Sequence, residues 1–506
     1  MTLMSAATSL PISHATERKL RLAPTLPDLF LALFLVARFA RIDGWQALLA
    51  DGDTGWHIRT GEYILDHGVP VHDLFSFSRA GQPWYAWEWL SDVIFGQLYR
   101  WWGLPGVVVL GAVLVSLPAA LLFAWLLRRG AGAWVALGVT LAAASAASVH
   151  DLARPHLFSL VLLVAGLWML DEDRRGPTPW LWTLVPMAGL WANLHGGFAA
   201  WLGTLGLLVA ISAVQRDLAA LRRYGLLVGL SSFATLINPY GWQLHRHIFE
   251  FLGSRWIAEH VAEFQSPQIR SENMLIFVLL LLAGVAVAAK VWRWQPFEAG
   301  MAVVWGLAAL RSARYVPLFA VVAAPLIASY AATRWEIVAE RASARSAWRI
   351  LWESSQALGG QWRITPWMPI LAVLAIAAVF PAVGLADFPD RLFPVEAVDR
   401  NTGQLTSAGA RILTSDQWSD YLIYRLYPRS RVFFDGRSDF YGDAIGDDYR
   451  TLQLAGRTSR QVMARYGFTI ALLPLQWSLG QILERDPDWR VVYRDEQAVL
   501  LIRSTP

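Results

Sequence analysis

Residues 51–89 read DGDTGWHIRTGEYILDHGVPVHDLFSFSRAGQPWYAWEW and lie between the first and second apolar runs of the chain. They carry the carboxylates Asp51, Asp53, Glu62, Asp66, Asp73 and Glu88, the imidazoles His57, His67 and His72, and the rings of Trp56, Trp84, Tyr85, Trp87 and Trp89. Such a stretch is too polar to cross a bilayer. It is also too rich in paired acids, His and Trp for a plain connection, and loops held on rigid scaffolds are where binding and catalysis concentrate.

Composition says what flanks it. The 506 residues are 55% hydrophobic and 16% charged, with mean hydropathy +0.38, which moves the chain from the soluble class to the membrane class. The 27 Trp and 14 Tyr suit interfacial belts, where a ring sits among headgroups with its polar atom wet. A formal charge of +4 gives no reason to expect a nucleic-acid partner, and the absence of Cys removes disulfides, thiolate nucleophiles and thiolate metal sites together.

The first residues are polar and include Arg18, Lys19 and Arg21; the apolar run that follows has no small-residue cleavage site and reads as a retained span. Taking apolar stretches near 20 residues as helices gives about eleven spans, near 26–49, 104–127, 133–149, 155–170, 180–194, 198–214, 224–237, 274–289, 297–310, 316–331 and 367–383. The basic clusters (the N-terminal tail, Arg128-Arg129, Arg174-Arg175, Arg216 with Arg222-Arg223, Lys290 with Arg293, and residues 334–363) then alternate onto one side, cytoplasmic by the positive-inside rule. Segments 51–89, 150–156, 193–197, 238–273 and 311–315 fall on the other. Residues 333–363, with Arg341, Arg345 and Arg349 four apart, read as an interfacial helix on anionic lipid.

Beyond residue 385, strand-like runs at 410–413, 431–434, 468–473, 490–493 and 498–502 alternate with amphipathic helices, the pattern of a small α/β domain. The expected architecture is an α-helical polytopic membrane protein: a spanning domain, 1–384, with a large first outer loop, 50–103, and an extracytoplasmic α/β domain, 385–506. That domain carries Ser415-Asp416-Gln417-Trp418 and the run 434–441, FDGRSDFY, each after a strand; both suit acceptor binding or packing over a cavity.

Asp51 and Asp53, two apart around Gly52, can converge on one reacting hydroxyl or one cation. A carboxylate can take the proton of an attacking hydroxyl, or help hold Mg²⁺ or Mn²⁺ against a phosphate. The pair can also do no more than tighten the turn after the first span. His57 and Arg59 follow it; Asp151, Arg154 and His156 stand in the second outer loop, and His195 in the third. Cationic groups of this kind suit a phosphate, and ionisable groups at the mouths of spans default to functional hypotheses. Trp84, Tyr85, Trp87 and Trp89 read as an interfacial helix in preference to a sugar platform.

An outer first loop that opens on an acidic pair, continues Gly55-Trp56-His57-Ile58-Arg59-Thr60-Gly61-Glu62 and reaches Gly68-Val69-Pro70 and Gly81-Gln82-Pro83-Trp84 resembles the membrane glycosyltransferases of the GT-C superfamily. The echo is with oligosaccharyltransferase catalytic subunits, and more loosely with protein O-mannosyltransferases and lipid A aminoarabinose transferases. The resemblance implies Asp51 or Asp53 as catalytic base or metal ligand and matches Asp151 to the second-loop acid; as possible metal ligands the candidates are Asp51, Asp53 and Asp151. Arg311 and Arg314 match, by location, the basic residues such enzymes set near a lipid phosphate. The C-terminal domain lacks a WWDYG-like motif, against recognition of an Asn-x-Ser/Thr peptide.

The expected function is therefore transfer of a sugar from a polyprenyl-phosphate-linked donor to a glycan, lipid or protein acceptor at the outer face of the inner (plasma) membrane. The energy comes from the donor, since no Gly-rich P-loop is present. Two rival classes are a secondary transporter and a non-enzymatic scaffold of the cell envelope. A cavity gathering Asp51, Asp53, Asp151 and Arg314 speaks for transfer chemistry; dispersal of those groups speaks for a scaffold.

Overall fold

The computed structural model describes residues 23–40, 44–383 and 386–504; the basic residues Arg18, Lys19 and Arg21 lie outside the described residues. Each of the eleven expected segments contains a helix, but not always over its whole length: Leu26–Ala40 covers the first part of 26–49, and 180–194 is a 3-10 turn followed by Leu184–Leu194. Among the described residues four helices are long and apolar enough to cross a membrane: Leu104–Arg128, Ala133–His150, Glu272–Val291 and Ala313–Arg341. Several others are shorter, such as the 17-residue Phe198–Val214. At 1.5 Å per residue that length reaches about 25 Å, a little under a hydrocarbon core of about 30 Å.

Residues 51–103 are not an open loop but two helices. Asp51 Oδ1 accepts the Asp53 N–H at 2.9 Å and Gly68, at φ +84°, ends the helix, so Asp53–His67 is capped at both ends by its own sequence. It packs on Trp89–Trp102 through glycines: a Cβ on Gly61 would stand 1.8 Å from the Asp92 carbonyl oxygen, and one on Gly96 2.6 Å from the Glu62 nitrogen. Between the helices the run 84–88 is irregular. The interfacial-helix reading of Trp84, Tyr85 and Trp87 therefore gives way: Pro83 is bridged to His72, the chain stays extended, and helix begins only at Trp89. The expected interfacial segment after Val316–Arg341 contains a helix, Ala347–Gly359.

The C-terminal region forms a four-stranded sheet of β1 (Ile412–Leu413), β2 (Ile470–Pro474), β3 (Trp489–Arg494) and β4 (Ala498–Arg503) in the order β1-β2-β4-β3, with β1 parallel to β2 and the other pairs antiparallel. All five strand-like runs are accounted for. The run 431–434 contributes a bridge at Val432, which pairs with Ile412 on one side and with Ser76 of the first loop on the other. One apolar core accordingly runs from Leu31 and Leu35 through Trp56, Ile58 and Phe95 to Tyr421, Phe433 and Leu472. Loop and domain are therefore packed together.

Arg59 belongs to this seam. Its guanidinium donates to the Tyr424 carbonyl oxygen (Nε at 2.7 Å), pairs with Glu62 at 2.6 Å and lies over the rings of Tyr99 and Tyr424. On the opposite face of the bundle the basic pairs are more than lipid anchors: Arg129 meets Asp171 at 2.8 Å, Arg174 meets Glu298 at 2.6 Å and Arg223 meets Asp173 at 2.6 Å.

Candidate functional site

Helix Asp53–His67 starts where the spanning helices meet the C-terminal domain, and this junction encloses a cavity of about 400 Å³. Every polar segment placed on one side by the sequence contributes to its wall: Asp51, Asp53 and Glu88 from the first loop, Arg154 from the second, His195 from the third, Glu263 from the fourth and Arg314 from the fifth. The C-terminal domain adds residues of both runs singled out above, among them Asp416, Gln417, Phe434, Gly436 and Asp439. Among the described residues, none of the basic clusters named above reaches it.

Arg154 is the centre of charge. Its Nη2 lies 2.7 Å from Asp53 Oδ2, and its Nη1 lies 3.0 Å from Asp51 Oδ2 and 2.6 Å from Glu263 Oε1. Three carboxylates against one guanidinium leave an acidic excess. Burial, assisted by the neighbouring Asp51 and Glu263 charges, raises Asp53 to about 7 against the pull of Arg154. Glu263 shifts the other way: the Arg154 and Arg314 charges outweigh its burial and hold it well below the usual carboxylate range.

Glu88 stands across the cavity, its Oε2 3.7 Å from His57 Nε2 and its Oε1 3.5 Å from His195 Nε2. Burial raises it to about 8, so at neutral pH it is mostly a neutral acid. His57 Nδ1 is 2.6 Å from Asp92 Oδ1; burial pushes this imidazole down and this carboxyl up, and the two form a neutral, buried pair. His195 Nδ1 accepts the Gly197 N–H at 3.0 Å, which leaves its Nε2 to carry hydrogen towards Glu88.

A second cavity of about 130 Å³ shares Trp87, Glu88, Arg154, His195, Phe251, Glu263 and Arg314 with the first. From that common wall it runs between the helices along Leu160, Ala199, Leu252 and Leu318, and His156 lines it too, its Nε2 donating to the His150 carbonyl oxygen at 2.7 Å. Where the two cavities meet, Arg314 lies over the rings of Phe264 (4.2 Å) and Phe251 (5.6 Å). Unlike Arg154, it has no carboxylate within ion-pair distance among the described residues.

Thus Asp51, Asp53, His57, Arg154, His156, His195 and Arg314 converge on the two joined cavities. Asp151, Arg59 and Arg311 do not. Asp151 pairs with Arg38 at 2.7 Å and lines a separate apolar gap, Arg59 is spent on Tyr424, and Arg311 is exposed at the end of helix Pro296–Arg311. The expected metal set of Asp51, Asp53 and Asp151 is not assembled: two of its members face a guanidinium, the third faces Arg38, and among the described residues no three His, Asp or Glu stand ready to hold a metal. The donor set does not fit a cation.

No family model and no curated protein matches the chain. Among solved structures, the chain is similar to ArnT from Cupriavidus metallidurans bound to undecaprenyl phosphate, at 16% identity and TM-score 0.50, over 94% of this chain and 97% of that one. The chain has an ArnT-like fold. The apo state of the same ArnT matches at 17% identity and TM-score 0.49, over 97% of this chain and 98% of that one. At such identities it is the fold that is shared. The architecture expected from the first loop is therefore present, with its helical membrane part and its small C-terminal sheet.

Sequence reasoning passed over Glu88, Asp92, Glu263 and Asp420. Glu88 was hidden in a Trp-rich run read as an interfacial helix, and Asp92 lies just beyond it. Glu263 sits in a long segment without a motif. One signal was available for each: an acid in a segment assigned to the same face as Asp53.

Proposed function

We propose that the chain is an integral-membrane glycosyltransferase that moves a sugar from a polyprenyl-phosphate donor to an acceptor at the outer face of the inner (plasma) membrane, with 1–384 spanning and 385–506 extracytoplasmic. One observation carries the reading: a polar cavity with a buried carboxylate–arginine centre opens into an apolar cavity between helices, and where they join stands an arginine, Arg314, with no carboxylate partner among the described residues. A donor with a phosphate between a sugar and an isoprenoid chain has that same order of polarity. The ArnT of like fold was crystallised bound to undecaprenyl phosphate, which supports this class of donor.

In this mechanism the isoprenoid lies along Leu160, Leu252 and Leu318, and the phosphate meets Arg314 and Arg154. The sugar projects towards Asp53. The acceptor oxygen attacks the anomeric carbon, the bond from that carbon to the phosphate oxygen breaks, and its electron pair leaves with the lipid phosphate. Asp53 takes the acceptor proton; a carboxylate near 7 is matched to that task at neutral pH. Charge developing on the phosphate oxygen is stabilised by fixed guanidinium groups, which therefore bind the transition state more tightly than the ground state. Glu88, neutral at pH 7, offers a hydrogen bond to the sugar from the opposite wall. Asp51 caps the helix and steadies Arg154. The seam of Ser76, Val432 and Arg59 holds the C-terminal domain as a roof over the cavity, where Trp256 and Tyr449 face the acceptor.

The reading is tested by reconstituting the full chain with a panel of polyprenyl-phosphate sugars and candidate acceptors and measuring free polyprenyl phosphate. Release with one donor, abolished by Arg314→Ala, is the expected result; no release with any donor would remove it.

A further inference from the structure

Asp420 lies on helix Asp416–Leu426, outside the cavity wall and directly behind Asp53. Both carboxyls are buried, and in each case one oxygen is occupied. Asp53 Oδ2 faces Arg154 at 2.7 Å, and Asp420 Oδ1 accepts the Gly436 N–H at 3.0 Å. Among the described residues no donor gives a hydrogen bond to the remaining oxygens, Asp53 Oδ1 and Asp420 Oδ2. They converge on the same glycine: a Cβ on Gly436 would stand 2.0 Å from Asp53 Oδ1 and 2.8 Å from Asp420 Oδ2.

Two ionised carboxylates cannot satisfy one another, since both oxygens only accept. A divalent ion does not suit the gap, because Mg²⁺ held by one or two carboxylates keeps several waters and both oxygens here are closed off from solvent. A single proton does.

We infer that Asp420 is a positioning residue for Asp53: in its protonated form it donates from Oδ2 to Asp53 Oδ1, and with Arg154 it fixes the base from two sides. The inference rests on the transfer reading above and deepens it, because the C-terminal domain then supplies a residue that positions the base as well as a roof. The charged surroundings agree. Arg154, Asp51 and Glu263 face Asp53, while Asp416, Asp435 and Asp53 itself face Asp420, so that a second negative charge at Asp420 is strongly disfavoured. During transfer the acceptor proton passes to Asp53, and Asp420 keeps its own throughout. Gly436 is required at this point because any side chain there would push Asp53 off its position.

The test uses the full chain in liposomes. Asn at 420 reproduces a protonated Asp: its amide oxygen accepts from Gly436 and its NH₂ donates to Asp53. Asp420→Asn is expected to keep kcat near that of the wild type, whereas Asp420→Leu is expected to lower kcat by about 10²-fold, the scale of a base misplaced by about an ångström, with the donor KM unchanged. Wild-type kcat in Asp420→Leu, or an Asn variant as impaired as the Leu variant, would overturn the inference. A measurement without substrate covers the case in which Asp420→Leu does not fold. The infrared difference between wild type and Asp420→Asn at neutral pH should show loss of a protonated-carboxyl carbonyl band; loss of an ionised carboxylate band instead would overturn the assignment. If the wild type itself releases no polyprenyl phosphate, the transfer reading falls while the infrared result still judges Asp420.

Discussion

Arg154 Nη2 lies 2.7 Å from Asp53 Oδ2, joining the loop before helix His156–Arg175 to the start of helix Asp53–His67. The same guanidinium binds Asp51 and Glu263, so one side chain ties three segments around the cavity. Removing it would leave three carboxylates close together with no counter-charge. Arg154→Ala is expected to destabilise the protein by about 3 kcal/mol, the cost of breaking a largely buried pair. Arg154→Lys keeps the charge but cannot reach three partners with a planar fork, and should fall between the two. Thermal unfolding in detergent measures both; unchanged midpoints would show the cluster to be structurally idle.

Arg59 is expected to matter for docking and not for chemistry. Its hydrogen bonds to the Tyr424 carbonyl are charge-assisted, each such bond contributing about 1.5–3 kcal/mol. Arg59→Ala should loosen the C-terminal domain, seen as faster proteolysis within 386–504. The donor KM should not change. A raised KM with normal protease resistance would return Arg59 to the substrate.

The pH dependence follows from Asp53 at about 7 and Glu88 at about 8. Turnover needs Asp53 ionised and Glu88 protonated, so kcat/KM should rise as pH passes about 7, fall beyond about 8, and peak between; the apparent values belong to the interacting set. Glu88→Gln should remove the alkaline limb alone. Stability runs in the opposite sense to the acid limb. Both folded-state values are raised above the unfolded ones, so these two groups hold more protons in the folded protein between about 4 and about 8, and their contribution to stability declines as pH rises through that window. Lowered imidazoles such as His57 act in the opposite sense below about 6.5, so the test is made above neutrality: a thermal midpoint that climbs from pH 7 to pH 8 would contradict these shifts.

Sidedness can be read directly because the chain contains no Cys. Gln82, Ser343 and Ser407 are exposed, and a single Cys at each can be labelled with an impermeant maleimide in intact cells. Gln82→Cys and Ser407→Cys should label together, since their segments are packed against one another, and Ser343→Cys should label only after lysis. Labelling of Ser343→Cys alone would invert the proposed orientation.

Much of this arrangement was legible in the sequence because it rests on local signals. Apolar runs located the helices, strand runs located β1 to β4 and the Val432 bridge, and alternation of basic loops gathered the five segments that do share one cavity. What escaped was non-local. Nothing near Asp151 announces that Arg38, more than a hundred residues earlier, takes its carboxylate, nor does Arg59 advertise a carbonyl at Tyr424. Asp420 looks like any acid on the polar face of a soluble helix until Gly436 and Asp53 are brought against it. The Trp84–Trp87 run has an interfacial composition, but the bridge of His72 with Pro83, the Trp84 N–H given to the Val71 carbonyl and the Ala86 N–H given to the Tyr240 hydroxyl hold it extended.

The acidic pair gives the most direct test, because the structure separates its members. Asp51 uses Oδ1 to accept the Asp53 N–H, a role Asn fills almost as well, whereas Asp53 is the proposed base. In liposomes with a competent polyprenyl-phosphate sugar, release of polyprenyl phosphate should fall by about 10²-fold or more in Asp53→Asn. Asp51→Asn should retain most of the wild-type rate, and chelator should change neither protein. Wild-type release from Asp53→Asn would contradict the account.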